Sequence, residues 1–253
     1  MKESFIQKHP YFSVILVGLL CVFFTGIGTA IPQLIGLDIN EQIVVTTVFL
    51  IISIAIGIII MRKTRFTLSD YGFQLSKKDT NHKVWWYIPL LAVEILPIVL
   101  AGFSSEVSVL QYFILLFFTV AVGFNEEIYF RGLALKFMEG KGRKTAIIGS
   151  SIVFGVLHLA NVFNGKSTLY LVLQLFFAFL VGFVFAEIVS ITKSLWAVIF
   201  WHAAHDYISS ITGDALDKTA LIILAIQVGI LLTYAIFLWK IINTDDIPKP
   251  VKK

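Results

Sequence analysis

A helix needs about twenty apolar residues to cross the hydrocarbon of a bilayer, and this chain offers such a run eight times. The runs cover roughly 12–31, 43–61, 85–102, 109–136, 144–160, 168–188, 195–211 and 219–240. The third is broken by Pro89 and Pro97 and carries Glu94, and the fifth is short. Proline is tolerated in a membrane span better than in a soluble helix, because neighbouring helices satisfy the freed backbone groups. The expectation is an all-α polytopic membrane helix bundle of about eight transmembrane helices. It forms a single membrane domain over 1–253, with amino-terminal spans over 12–102 and a core at about 109–240.

Composition excludes the alternatives. Only 14% of the 253 residues are charged and 58% are hydrophobic, against about 25% charged in an ordinary soluble domain. A water-soluble fold of this length lacks the polar cover for that much apolar side chain. No basic stripe follows a polar helix or strand, so nucleic acid is not an expected partner. The one cysteine, Cys21, can form no internal disulfide and belongs to no cysteine-based metal spacing. The first apolar run follows Lys2 and Lys8 as a signal peptide would. It is nearer twenty residues than the usual 7–15, so it is read as a retained span.

Loop charge sets an orientation. Arg62, Lys63, Arg65, Lys77, Lys78 and Lys83 fall at 62–84, Lys141, Arg143 and Lys144 near 137–144, and Lys249, Lys252 and Lys253 in the tail. The loops at 32–42, 103–108 and 161–167 and at 212–218 hold only Lys166 and Lys218. Basic loops stay in the cytoplasm. Both termini and the even loops are therefore expected inside, and Asn40 and Asp214 outside. The stretch 62–84 reads as a surface loop or short amphipathic helix that anchors this topology.

Ionisable side chains inside a span cost about 2.5–3.5 kcal/mol each on insertion scales, yet the second half of the chain collects them. Glu126, Glu127 and Arg131 lie on the fourth run, His158 on the fifth, Glu187 near the end of the sixth, and His202, His205 and Asp206 on the seventh. Glu127 and Arg131 are four apart and share a helix face, as do His202 and Asp206. Glu126 is turned about 100° from Glu127. At 1.5 Å per residue, Glu126 sits about 16 Å, His158 about 21 Å, His202 about 11 Å and Asp206 about 17 Å from the inner ends of their spans. Side chains in one slab on three helices can converge on one cavity, expected here to open toward the inner leaflet. Glu94 and Glu187 read as polar contacts between helices or at helix ends, and His205 as a packing or supporting histidine. Phe124, Tyr129, Trp196 and Trp201 read as packing or interfacial aromatics.

The motifs these residues form are EExxxR from Glu126 to Arg131, FxxxH from Phe154 to His158, and HxxxD from His202 to Asp206. In this order and spacing, over about 120–215, the chain resembles the CAAX prenyl protease type II family, also called the CPBP or Abi family. That family includes Ras-converting enzymes and bacterial proteins linked to bacteriocin processing and self-immunity. The resemblance implies an intramembrane endopeptidase acting at or near the cytoplasmic leaflet on a peptide or protein substrate, lipid-modified in some members. It makes Glu126 the water-activating carboxylate with His158 as its partner, and puts His202 and Asp206 where an oxyanion forms. Glu127, Arg131 and His205 support the site. Asn at the last position donates a hydrogen bond, whereas an ionised Asp206 only accepts.

Two chemistries stay open. A carboxylate can activate water without a metal, or Glu126, His158 and His202 can hold a divalent ion such as zinc with one position left open; HExxH is absent. Two other functions compete: a non-catalytic bacteriocin self-immunity or scaffold protein of the same fold, and a proton-coupled transporter. Against the transporter, polar residues gather in one half and no inverted repeat is visible. Lysine and isoleucine usage points to a Gram-positive plasma membrane.

Overall fold

The computed structural model describes residues 5–213 and 216–245. Asp214 and the tail residues Lys249, Lys252 and Lys253, used above to orient the chain, lie outside the described residues, as does Lys2. Eight main helices replace the eight apolar runs: α1 (Pro10–Leu34), α2 (Ile39–Arg62), α3 (Ile88–Leu100), α4 (Val109–Glu127), α5 (Arg143–Leu157), α6 (Thr168–Thr192), α7 (Trp196–Thr212) and α8 (Lys218–Asp245). Among the described residues, six helical stretches are long and apolar enough to cross a membrane, those of α1, α2, α4, α5, α6 and α8. The remaining two are shorter: α3 has 13 residues and α7 has 17. Pro89 lies in the first turn of α3, where no intrahelical donor is needed, and Pro97 is held inside the helix.

Helix starts follow local chemistry. Asp38 and Ser108 open α2 and α4 with reciprocal capping boxes to Glu41 and Gln111, and the Ser167 side chain accepts from the Tyr170 N–H to open α6. Beyond Glu127, α4 continues as a π-helical segment, Ile128–Ala134, every residue of which is buried. Such widened turns are frequent at functional sites, and nothing in the periodicity of the sequence marks this one.

The helices pack as two groups. In one, α1, α2, α5 and the π segment enclose Val17, Met61, Tyr129, Phe130, Leu133 and Phe154. In the other, α3, α6, α7 and α8 enclose Val93, Val184, Ile188, Val198, Leu231 and Leu238. Large apolar side chains cover the outer surface, among them Leu19, Phe23, Phe113, Phe117, Phe176 and Ile236. A belt of that kind exceeds what water tolerates on a monomer and suits hydrocarbon, so the chain is an integral membrane protein. Buried polar groups bridge the helices: Tyr129 Oη donates to the Ser53 carbonyl at 3.0 Å, Gln227 Nε2 to the Val93 carbonyl at 3.0 Å, and Tyr234 Oη to the Val84 carbonyl at 2.7 Å. Tyr129 is thus a polar strut, not only a packing aromatic.

The stretch 62–84 is a structured cap rather than a free loop. It contains a short 3₁₀ turn, Ser69–Tyr71, and a short helix, Lys78–Lys83. It is tied to the α6–α7 connection: Leu195 N–H donates to the Gly72 carbonyl at 2.8 Å, and Gln74 Nε2 to the Lys193 carbonyl at 3.0 Å.

Candidate active site

The site forms where α4 meets α7. The two helices approach closely because Gly123 has no side chain: a Cβ there would lie 2.9 Å from the Ile199 carbonyl oxygen and 3.1 Å from Ala203 N, both backbone atoms of α7. One turn further on, Glu127 faces α7 fully buried. Its Oε1 accepts two hydrogen bonds, from Arg131 Nη1 at 2.9 Å and from His202 Nδ1 at 2.7 Å. Charge-assisted bonds of this length are the strong class, and they hold the imidazole ring in one orientation.

Arg131 is 2% exposed. Its guanidinium sits 4.0 Å from the Phe154 ring centroid and 5.6 Å from that of Phe185, and a Cβ on Gly182 would come within 3.0 Å of its Nη2. The expected Glu127–Arg131 pair is present, with a further role that spacing within one helix does not reveal, namely fixing a histidine on another helix.

With Nδ1 engaged, His202 turns Nε2 toward two more carboxylates, Glu126 Oε2 at 3.6 Å and Asp206 Oδ2 at 3.6 Å. Both exceed direct hydrogen-bond range and suit a bridging water or a substrate oxygen. Glu126 Oε2 is buried and has no hydrogen-bond partner. The polar partner of Glu126 is therefore His202, not His158, with which it shares no hydrogen bond.

His158 stands on the far side of Phe154, whose ring lies 4.6 Å from the His158 ring and 6.1 Å from that of His202. His158 Nδ1 donates to the Phe154 carbonyl at 2.8 Å. A neutral ring bonded in this way carries its lone pair on Nε2.

A cavity of about 540 Å³ runs between α3, α6, α7 and α8, and His158, His202, His205 and Asp206 line it. Glu126 adjoins it beside His202, at 3.6 Å. Of the three side chains expected to share one cavity, His158 and His202 line this one and Glu126 stands 3.6 Å from His202. The cavity does not reach the basic end of the bundle. Its lining runs to Leu100, Ala101, Thr212, Gly213, Leu216 and Asp217, at the opposite end. An opening toward the inner leaflet conflicts with the orientation that loop charge predicts.

His205 pairs across the bundle with Glu94, Nδ1 to Oε1 at 3.1 Å, and its ring lies 5.3 Å from that of Phe177. Glu94 lines the same cavity, so it is more than a polar contact between helices. A carboxylate in a proline-containing apolar run was the available signal. Glu187 is fully buried and neither of its oxygens accepts a hydrogen bond, and its charge interaction is with Arg143 of α5.

Among the described residues, no three histidine, cysteine, aspartate or glutamate side chains form a group that could hold a metal ion. His202 Nδ1 bonds Glu127 and His158 Nδ1 bonds a backbone carbonyl, which orients each ring and leaves each Nε2 outside these bonds. The side chains of Glu126, His158 and His202 are not gathered into such a group in this arrangement, and no catalytic step is derived through a metal.

Residues 108–208 match the family model described as Type II CAAX prenyl endopeptidase Rce1-like. The match begins at the cap of α4, ends two residues after Asp206, and contains all three motifs. No curated protein and no solved structure matches the chain significantly.

Proposed function

We propose that the protein, whose residues 108–208 match the Rce1-like type II CAAX prenyl endopeptidase family model, is an intramembrane endopeptidase in which Glu126 activates water and His202 stabilises the oxyanion. The observation that carries this reading is the bracketing of His202, with Nδ1 held by Glu127 at 2.7 Å and Nε2 standing 3.6 Å from both Glu126 and Asp206.

The roles follow from charge and reach. A water held between Glu126 and His202 gives its proton to the Glu126 carboxylate as its oxygen attacks the peptide carbonyl carbon. His202, doubly protonated, keeps one N–H on Glu127 and turns the other toward the oxyanion. That donor is already oriented and needs no reorganisation during the step. Glu126 then passes its proton to the departing amine, and the C–N bond breaks. Asp206 borders the same spot from α7 and, when protonated, adds a second donor. His158 presents Nε2 to the cavity as an acceptor, suited to a substrate N–H or to the water. Glu127 and Arg131 position His202 without touching the reacting atoms. Glu94 with His205, and the apolar wall of Leu173, Phe177, Val181 and Ile223, favour an apolar substrate segment.

The test is cleavage by purified protein in detergent. Apolar peptides, prenylated and unprenylated, are incubated with it, with and without chelator, and fragments are read by mass spectrometry. Defined fragments that persist with chelator support the reading. Peptides bound but left intact in every condition favour the immunity or scaffold alternative, and cleavage abolished by chelator overturns the metal-free mechanism.

A further inference from the structure

The cavity and the charge of the bundle ends have opposite polarity. One end carries Arg62, Lys63, Arg65, Lys77, Lys78 and Lys83, together with Lys136, Lys141, Arg143, Lys144 and Lys193. The other end, in the loops before α2, α4, α6 and α8, carries Asp38, Glu41, Glu106 and Asp217 with only Lys166 and Lys218 as cations. Short loops rich in Lys and Arg are retained in the cytoplasm, so the first end is the inner one.

The cavity lies toward the other. Its walls follow α3 to Leu100 and Ala101, α7 to Thr212, and the first turns of α8 at Thr219 and Ala220. None of its lining residues belongs to the cap at 63–84 or to the 139–142 connection. At the basic end, the cap is hydrogen-bonded to the α6–α7 turn through Gly72 and Gln74. Arg131 and the Phe154 ring stacked on it fill the space behind His202 on that side.

We infer that the cavity is entered from the non-cytoplasmic face of the membrane, and that its substrate is an apolar peptide segment on that side, such as part of a translocated or secreted polypeptide. This rests on the endopeptidase reading for the word substrate, but not for the direction of entry. Inside the cavity, apolar walls accept the side chains. Glu94, His205, Asp206 and Gln227 line the same space and can bond the peptide backbone. A segment reaching His202 from this mouth passes Ser209 and Ile208 first, since both line the cavity on the same helix nearer its outer end.

Direction is measured without activity. Cys21 is buried, so single cysteines can be placed by Ser105→Cys in the loop before α4, Ser209→Cys in the cavity wall and Ser69→Cys in the basic cap. Intact cells are treated with a membrane-impermeant maleimide before and after permeabilisation. The expected result is labelling at 105 and 209 in intact cells, with labelling at 69 only after permeabilisation. Labelling of 105 and 209 solely after permeabilisation overturns the inference, as does labelling of 105 but not 209 in intact cells.

Activity then supplies a separate arm. An apolar fluorogenic peptide added outside should be cleaved by right-side-out vesicles and spared by inverted ones. The reverse preference overturns the inference. Outside labelling with no cleavage in either orientation leaves the entry direction standing and removes the endopeptidase reading instead.

Discussion

Replacing Glu127 by Gln should unfold the protein more readily before it slows any chemistry. Glu127 is fully buried and Arg131 is 2% exposed. The guanidinium lies among Phe154, Phe185 and Phe130, at 4.0, 5.6 and 6.0 Å. Its one hydrogen-bonded anion is Glu127, which also accepts from His202. Breaking a buried pair by removing one partner costs about 3–5 kcal/mol, because the other charge is left uncompensated. The Gln carbonyl still accepts one hydrogen bond, a neutral one worth about 1 kcal/mol, which places the expected loss near the lower bound. At about 1.4 kcal/mol per decade, that is roughly two powers of ten in the folded-to-unfolded ratio. Thermal melts in detergent, followed by circular dichroism at equal protein concentration, should show Glu127→Gln melting well below wild type. The double variant Glu127→Gln with Arg131→Met removes both charges and should melt above the single variant. A single variant that melts with wild type, or a double variant that melts lower still, would refute the reasoning about this pair.

Three further outcomes follow. Gly123→Ala pushes a methyl group against two backbone atoms of α7 and should cost about 1–3 kcal/mol in the same melts, with cleavage falling as His202 is displaced; unchanged stability would mean the helices separate freely. Asp206→Asn keeps a donor beside His202 Nε2 and should retain activity, whereas Asp206→Ala should lose it; equal loss in both, measured as initial rates on a fluorogenic peptide, would make Asp206 a charged acceptor instead. In the basic cap, the Thr67 backbone N–H and hydroxyl hold the Asp70 carboxyl below the usual carboxylate range. A depressed folded value gives a contribution that is complete above the unfolded value of about 3.9 and is lost as pH falls through the folded one. Hydrogen exchange over residues 66–73, corrected for intrinsic rate, should therefore rise only below that pH, and a rise beginning near neutrality would contradict it.

Much of this was legible in the sequence because membranes impose length and charge rules. The eight runs correspond to the eight main helices, and the expensive polar residues of the second half mark the region of the site. Spacing along one helix also gave the Glu127–Arg131 pair correctly. What a single helix cannot reveal is its rotation against its neighbours. Whether Glu127 or Asp206 orients His202 depends on how closely α4 and α7 approach, which Gly123 sets. Whether His158 meets Glu126 depends on where the Phe154 ring stands. The π-helical turn after Glu127 shifts the register of Arg131 without changing the apolar pattern. The direction of the cavity depends on which helices stay apart, α6 and α7 above all, and no local pattern encodes a gap.

The central claim is that Glu126 activates the hydrolytic water, and the measurement that tests it most directly is the peptide-cleavage rate of Glu126→Gln beside wild type at equal folded concentration. Glu126 stands 3.6 Å from His202, beyond direct hydrogen-bond range, so the variant should melt close to wild type while its rate falls by about 10²–10⁴-fold, the usual effect of losing a general base. A Glu126→Gln protein that is folded and fully active would contradict the account.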